Sequence, residues 1–212
     1  MEEEEGRKKI ILASSSPRRR RILELLKLDF DIIEPKDYLE RSLSNPYRTV
    51  VLNSSSKARN VYDRIASGKK GGEGLEKSYK SEFLVSGFDT IVYLKNKYFG
   101  KPSSKKQAEE YLNFFSGKSH LVISGVCVLS SLNGKYLCDT DTTRVKFRKL
   151  SSIEIKEYIE KENVFDKAGA YNIYGLGSTL VERVDGCFYN VVGLPIFKFV
   201  NLLKKFNYKI LG

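Results

Sequence analysis

Residues 10–19 read Ile10-Ile11-Leu12-Ala13-Ser14-Ser15-Ser16-Pro17-Arg18-Arg19. The first four are apolar and suit a buried strand. Ser16 suits an N-cap, and Pro17 suits the first position of a helix, where a missing N–H costs nothing. Ile22, Leu25 and Leu26 then recur at helical spacing. The stretch predicts strand, serine-rich turn, helix. Serine hydroxyls and backbone N–H groups at a helix N-terminus favour anions, and arginines in the first turn fork around phosphate oxygens. Four consecutive arginines, Arg18 to Arg21, oppose the helix dipole unless an anion offsets them. The bland alternative is a solvated basic turn.

Beyond this stretch, Phe30–Ile33 predicts a second strand. Residues 35–46 predict a polar loop, and Arg48–Ile65 a helix. Residues 68–80 are rich in Gly and Lys and read as a flexible surface insertion. Phe83–Val85 starts a strand that leads to Gly87-Phe88-Asp89-Thr90, an acid and a hydroxyl at a strand end or bend. A helix over Ser104–Phe115 follows. Two long strands near 119–131 and 135–148 are joined by Asn133-Gly134, a hairpin signal. A helix at Ser152–Glu160, a glycine-rich loop at 166–178, a strand at Leu180–Val184 and a helix at Leu194–Phe206 close the chain. Alternating helices and strands early, with a long strand pair late, predict a mixed α/β or α+β protein rather than a doubly wound parallel sheet.

The 212 residues suffice for one sizeable core or two lobes, and 41% are apolar, a globular composition. Met1-Glu-Glu-Glu-Glu5 puts acid before base, the wrong order for a secretory signal, and no apolar run is long enough to span a bilayer. Residues 1–8 are expected to be a tail and the protein cytoplasmic. Cys127, Cys138 and Cys187 are odd in number and widely spaced, so they read as plain thiols. The single histidine, His120, builds no zinc site with them. Any metal therefore has carboxylate and water ligands, which points to Mg2+ or Mn2+. The net charge of +11 favours an anionic partner: nucleic acid, a membrane surface or a phosphorylated metabolite. Neither the P-loop nor the dinucleotide glycine fingerprint occurs.

Gly100-Lys101-Pro102 reads as a constrained turn bearing a lysine. Asp166-Lys-Ala-Gly-Ala-Tyr171, followed by Gly175-x-Gly177, has the small residues that permit close backbone approach to a ligand or to another strand. Tyr189 to Pro195 leads into the last helix and reads as structural. In order, Leu12-Ala-Ser-Ser-Ser-Pro-Arg-Arg19, Lys57-Ala58, Gly87-Phe-Asp-Thr90, Gly100-Lys-Pro102, Ser116-Gly117, Asp166–Tyr171 and Val192-Gly-Leu-Pro195 resemble the Maf family of nucleotide pyrophosphatases.

The resemblance extends over about residues 9–206 and implies one domain at 9–212. It implies an elongated mixed sheet flanked by helices, two lobes around a central cleft, similar to inosine triphosphatases, and a homodimer. It implies hydrolysis of nucleoside triphosphates to monophosphate and pyrophosphate as house-cleaning of nucleotide pools. Asp89 matches the family's catalytic aspartate, as proton acceptor or metal ligand. Glu40 is the placement of a second carboxylate, with Asp37 as fallback; Asp89 and Glu40 together are the implied metal ligands. Lys101 matches a catalytic lysine. Ser14, Ser16, Arg19, Lys57 and Lys167 match substrate-binding positions. Arg18 and Thr90 match two base-reading positions of the dTTP and UTP branch. Tyr174 stands where glutamine is usual, and Asn172 where glycine is usual. A basic nucleic-acid-binding module or a non-catalytic regulator is the alternative, resting on the charge, Lys146–Lys149 and the abundant aromatics.

Overall fold

The opening stretch forms strand β1 (Lys9–Ala13), whose residues Ile10 to Ala13 are wholly buried, and helix α1 (Pro17–Leu25). Ser16 holds the N-cap position with extended backbone but makes no side-chain cap bond. The Ser16 N–H instead donates to Oγ of Ser14 at 3.2 Å. Ser16 is thus the N-cap by position, as expected, without a capping bond from its hydroxyl.

The computed structural model describes residues 8–67, 79 and 82–211. The expected tail, Lys8 apart, and the expected 68–80 insertion, Tyr79 apart, lie outside the described residues. The further elements are β2 (Phe30–Ile32), α2 (Pro46–Ala66), β3 (Phe83–Leu94), β4 (Lys97–Phe99), α3 (Lys105–Phe115), β5 (Ser119–Ser130), β6 (Tyr136–Phe147), α4 (Ser152–Lys161), β7 (Val181–Asp185), α5 (Phe188–Val192) and α6 (Ile196–Lys205). Among the described residues the seven strands form one sheet in the order β2-β1-β3-β5-β6-β7, with β4 on β3. β1 runs parallel to both β2 and β3, and Ala13 lies opposite Gly87. β3–β4 and β6–β7 are antiparallel. Parallel neighbours need a crossover, which α1 and α2 supply. The class is mixed α/β.

Several boundaries differ from the sequence reading. α2 starts two residues earlier, because Asn45 accepts bonds from the N–H groups of Tyr47 and Arg48 and Pro46 fills the first helical position. β3 runs straight through Gly87–Thr90, so Asp89 sits mid-strand and not at a bend. The 166–178 stretch contains 3-10 turns at Ala168–Ala170 and Gly175–Leu180. The last helix begins at Ile196, with Pro195 as its N-cap residue, and the short α5 precedes it.

Two compact units divide the chain: Met1–Asp89, Gly125–Thr140 and Gly193–Gly212 in one, Thr90–Ser124 and Asp141–Val192 in the other. In the first unit α2 packs on the sheet through Ala58, Val61 and Ile65 against Ile11, Ala13, Val85 and Leu129. Two glycines let the helix come close. A Cβ on Gly87 would lie 2.1 Å from the Ser54 carbonyl oxygen, and one on Gly125 would lie 2.4 Å from that of Val50. In the second unit Phe99, Leu112, Phe115, Val122, Phe147 and Ile155 form an aromatic-rich core. Its left-handed Gly169 packs on Val92 and Phe115, so the small residues of the Asp166–Tyr171 string serve close packing.

Candidate active site

Alternation along β3 sends Gly87 and Asp89 toward α2, while Phe88 packs edge-on to Phe199 of α6 with ring centroids 5.3 Å apart. The close approach at Gly87, against Ser54 and Ala58, brings their neighbours Asn53 and Lys57 within reach of Asp89. Lys57 Nζ lies 2.7 Å from Asp89 Oδ1, and Asn53 Nδ2 donates to Asp89 Oδ2 at 3.0 Å. Lys57 Nζ also pairs with Glu40 Oε1 at 2.8 Å. Two carboxylates thus share one buried ammonium, and Tyr38 donates to Glu40 at 3.2 Å. Asp37 stands exposed with a left-handed backbone (φ 52°), so Glu40 rather than Asp37 joins Asp89.

Arg19 completes the cluster from α1. Its guanidinium donates to Ser14 Oγ at 3.1 Å and to the Gly193 carbonyl at 2.9 Å, and it lies 5.8 Å from the centroid of the Phe88 ring. Burial pulls its pKa down to about 10, against the opposing pull of Asp89 and Glu40, so it stays charged at neutral pH. Lys57 is likewise pulled down by burial, but Asp89 and Glu40 outweigh this and raise it above its ordinary value. Burial raises the Tyr38 phenol. Ser16 and Arg18 flank Ser14 and Arg19 at the start of α1, both half-buried.

One face of α2 grips the loop that carries Glu40. Thr49 Oγ1 accepts from the Leu43 N–H at 2.9 Å, and Asn53 Oδ1 from the Arg41 N–H at 2.9 Å. Asn60 Oδ1 accepts from the Lys36 N–H at 3.0 Å, and Arg64 Nη1 donates to the Glu34 carbonyl at 2.7 Å. Asn53 and Asn60 also donate to the carbonyls of Arg41 and Lys36, at 3.0 and 2.7 Å. The two asparagines imitate strand pairing for a segment without a strand. The sequence reading passed over Asn53. The signal was a polar stripe, Thr49-Asn53-Lys57-Asn60-Arg64, at helical spacing beside the buried Val50, Ala58, Val61 and Ile65.

The remaining predicted residues belong to the second unit. Thr90 Oγ1 lies 2.9 Å from Ser124 Oγ, which donates to the Asn190 carbonyl at 3.2 Å. Lys101 is exposed before a buried Pro102. Lys167 is buried, its ammonium held by Asp166 at 2.7 Å and by the Asn163 carbonyl. Tyr174 is 39% exposed. His120 is buried against Tyr171, its Nε2 2.8 Å from the phenol oxygen, and burial lowers its pKa to about 3, which keeps it neutral. The three cysteines are free thiols.

Asp89 and Glu40 meet the chemical demands of a hard divalent cation: both are oxygen donors, and both already lie within 2.8 Å of one cationic nitrogen. Among the described residues no three His, Cys, Asp or Glu side chains gather as a metal cluster.

The family described as Maf-like protein matches residues 9–206. The chain belongs to the Maf family. Among curated Maf-like relatives, a protein of Caldicellulosiruptor bescii named dTTP/UTP pyrophosphatase is 37% identical over 90% of this chain and 92% of its own. Proteins with the same name from Ruminiclostridium cellulolyticum and Clostridium botulinum are 39% and 41% identical, over 90% and 86% of this chain and 92% and 87% of theirs. The Staphylococcus aureus Ham1 protein structure aligns with 66% of this chain and 72% of its own at 15% identity and a TM-score of 0.38, too low to carry an argument. Among the described residues, no helix is long and apolar enough to cross a membrane.

Proposed function

We propose that this chain hydrolyses nucleoside triphosphates, dTTP and UTP foremost, to the monophosphate and pyrophosphate. One observation carries the site assignment: Asp89 and Glu40 share the buried Lys57 ammonium, beside Arg19 and the Ser14 turn. Water attacks the α-phosphorus, the bond from that phosphorus to the α–β bridging oxygen breaks, and pyrophosphate leaves. Asp89 orients the water and takes its proton. Ser14, Ser16, Arg18 and Arg19 hold phosphate oxygens, and Lys57 offsets the negative charge that builds up in the transition state. Asp89 and Glu40 would hold Mg2+ or Mn2+, which supplies charge neutralisation at the phosphates.

Thr90, Lys101, Lys167 and Tyr174 are individual candidates for substrate contact, each tested by its own substitution. Tyrosine offers one hydroxyl and a stacking face where glutamine offers a donor and an acceptor, so Tyr174 bears on the choice of base. We further propose a homodimer in the cytoplasm, with 9–212 acting as one catalytic domain. Nothing in the comparisons favours a nucleic-acid-binding module.

The test is pyrophosphate release from dTTP, UTP, CTP, 5-methyl-UTP, pseudo-UTP, GTP and 7-methyl-GTP, with Mg2+, Mn2+ or chelator. Metal-dependent release from dTTP or UTP, with equal monophosphate, is expected. Release from a purine alone overturns the base preference, and no release from any substrate by folded protein overturns the activity.

A further inference from the structure

We propose that Asn53 is a positioning residue that latches the Glu40 loop to Asp89, so that the two carboxylates meet on Lys57. This rests on the reaction proposed above.

Residues 33–45 form no helix or strand and are held by the stripe on α2. Asn53 is the member of that stripe whose one amide bridges the two carboxylate-bearing segments. Its Oδ1 accepts from the N–H of Arg41, the residue after Glu40, while its Nδ2 donates to both the Arg41 carbonyl and Asp89 Oδ2. An amide that accepts with one end and donates twice with the other is fully committed, and here it is 4% exposed. Losing it leaves an Arg41 N–H, an Arg41 carbonyl and a carboxylate lone pair without this partner. Thr49 and Asn60 bond to neighbouring stretches of the loop, at Leu43 and Lys36, and anchor it there. Lys57 reaches both segments through the side chains of Glu40 and Asp89, whereas the amide at 53 ties the backbone of the loop to Asp89.

Two variants separate the latch from mere packing. Asn53→Leu removes donor and acceptor. Asn53→Asp keeps the shape and the acceptor for Arg41 but sets a carboxylate beside Asp89, which is already faced by Lys57 from α2, Arg19 from α1, and Glu40 and Tyr38 from the loop. Two measurements are made on the full chain: limited trypsin cleavage after the exposed Arg41, with cleavage after Lys156 of α4 as control, and kcat and KM for dTTP. In Asn53→Leu, cleavage after Arg41 accelerates, cleavage after Lys156 does not, and kcat falls about ten- to a hundredfold with less change in KM. In Asn53→Asp, which keeps the acceptor for the Arg41 N–H, cleavage after Arg41 accelerates less than in Asn53→Leu. Unchanged cleavage after Arg41 in Asn53→Leu, equal acceleration at both sites, or a change in KM as large as that in kcat overturns the latch. If the wild type turns over no triphosphate, the reaction fails, and the cleavage comparison still decides the role of Asn53.

Discussion

Nζ of Lys57 lies 2.7 Å from Oδ1 of Asp89, with the two side chains 7% and 8% exposed. A buried pair of this kind is not a cheap source of stability, since desolvation consumes most of the attraction. Its significance lies in what else the ammonium touches. The same nitrogen holds Glu40 at 2.8 Å, so one cation gathers the two carboxylates of the proposed site.

Lys57→Met is therefore expected to leave Asp89 buried without its ammonium, destabilising the fold by about 3 kcal/mol in urea titrations. Turnover of dTTP is expected to fall at least about a hundredfold. Because the Lys57 pKa is raised, the pair's contribution is present below the ordinary value of 10.5 and is lost as pH rises through the folded value. On the Lys57 side, the wild-type advantage over Lys57→Met in unfolding free energy should shrink at strongly alkaline pH. A wild-type-like kcat/KM in the variant would remove Lys57 from the site.

Glu40 and Asp37 compete for one role in the sequence, and the two are now distinguishable. Glu40→Gln is expected to reduce kcat/KM about a hundredfold and to raise the metal concentration needed for half-activity. Asp37→Asn is expected to leave both nearly unchanged, since it is Glu40 that pairs with the Lys57 ammonium beside Asp89. Metal titration of the two variants in parallel checks this, and equal losses would contradict the placement.

Gly87→Ala forces a methyl group to within 2.1 Å of the Ser54 carbonyl oxygen, so α2 must move off β3. A loss of about 2–3 kcal/mol is expected from such overpacking. Activity should fall further than stability alone predicts, because Asn53 and Lys57 ride on the displaced helix. Urea unfolding and kcat measured on the same preparation test this.

How much of this the sequence disclosed depends on how local each cause was. The strand, serine turn and helix at 10–25 were legible because Pro17 and the apolar spacing act within a few residues. Asp89 and Arg19 were legible through motif order. Gly87 was not understood as a contact, since the atom it must avoid, the Ser54 carbonyl oxygen, lies on another element. Ser16 takes the N-cap position that the sequence suggested, while its own N–H goes to the hydroxyl two residues earlier. Asn53 was missed because a polar residue inside a helix ordinarily signals a solvated face. Its meaning came from a loop whose path no periodicity reveals.

His120 provides a stability test that does not depend on the reaction. Its folded pKa of about 3 is below the ordinary 6.5, so the unfolded chain binds the proton first. The stability it contributes is present above pH 6.5 and is lost as pH falls through the window from 6.5 to 3, at about 1.4 kcal/mol per pH unit. Between pH 6.5 and 4, His120→Gln should lose about 3 kcal/mol less than wild type in urea titrations. Parallel acid dependence of the two proteins would show that burial does not hold the imidazole neutral.

The central claim, that water attacks the α-phosphorus with Asp89 as its partner, is tested most directly by hydrolysing dTTP in oxygen-18 water with magnesium and locating the label by mass spectrometry. The account predicts one heavy oxygen in the monophosphate and none in the pyrophosphate, with turnover falling by about three orders of magnitude in a folded Asp89→Asn variant. Label in the pyrophosphate, or wild-type turnover by Asp89→Asn, would contradict it.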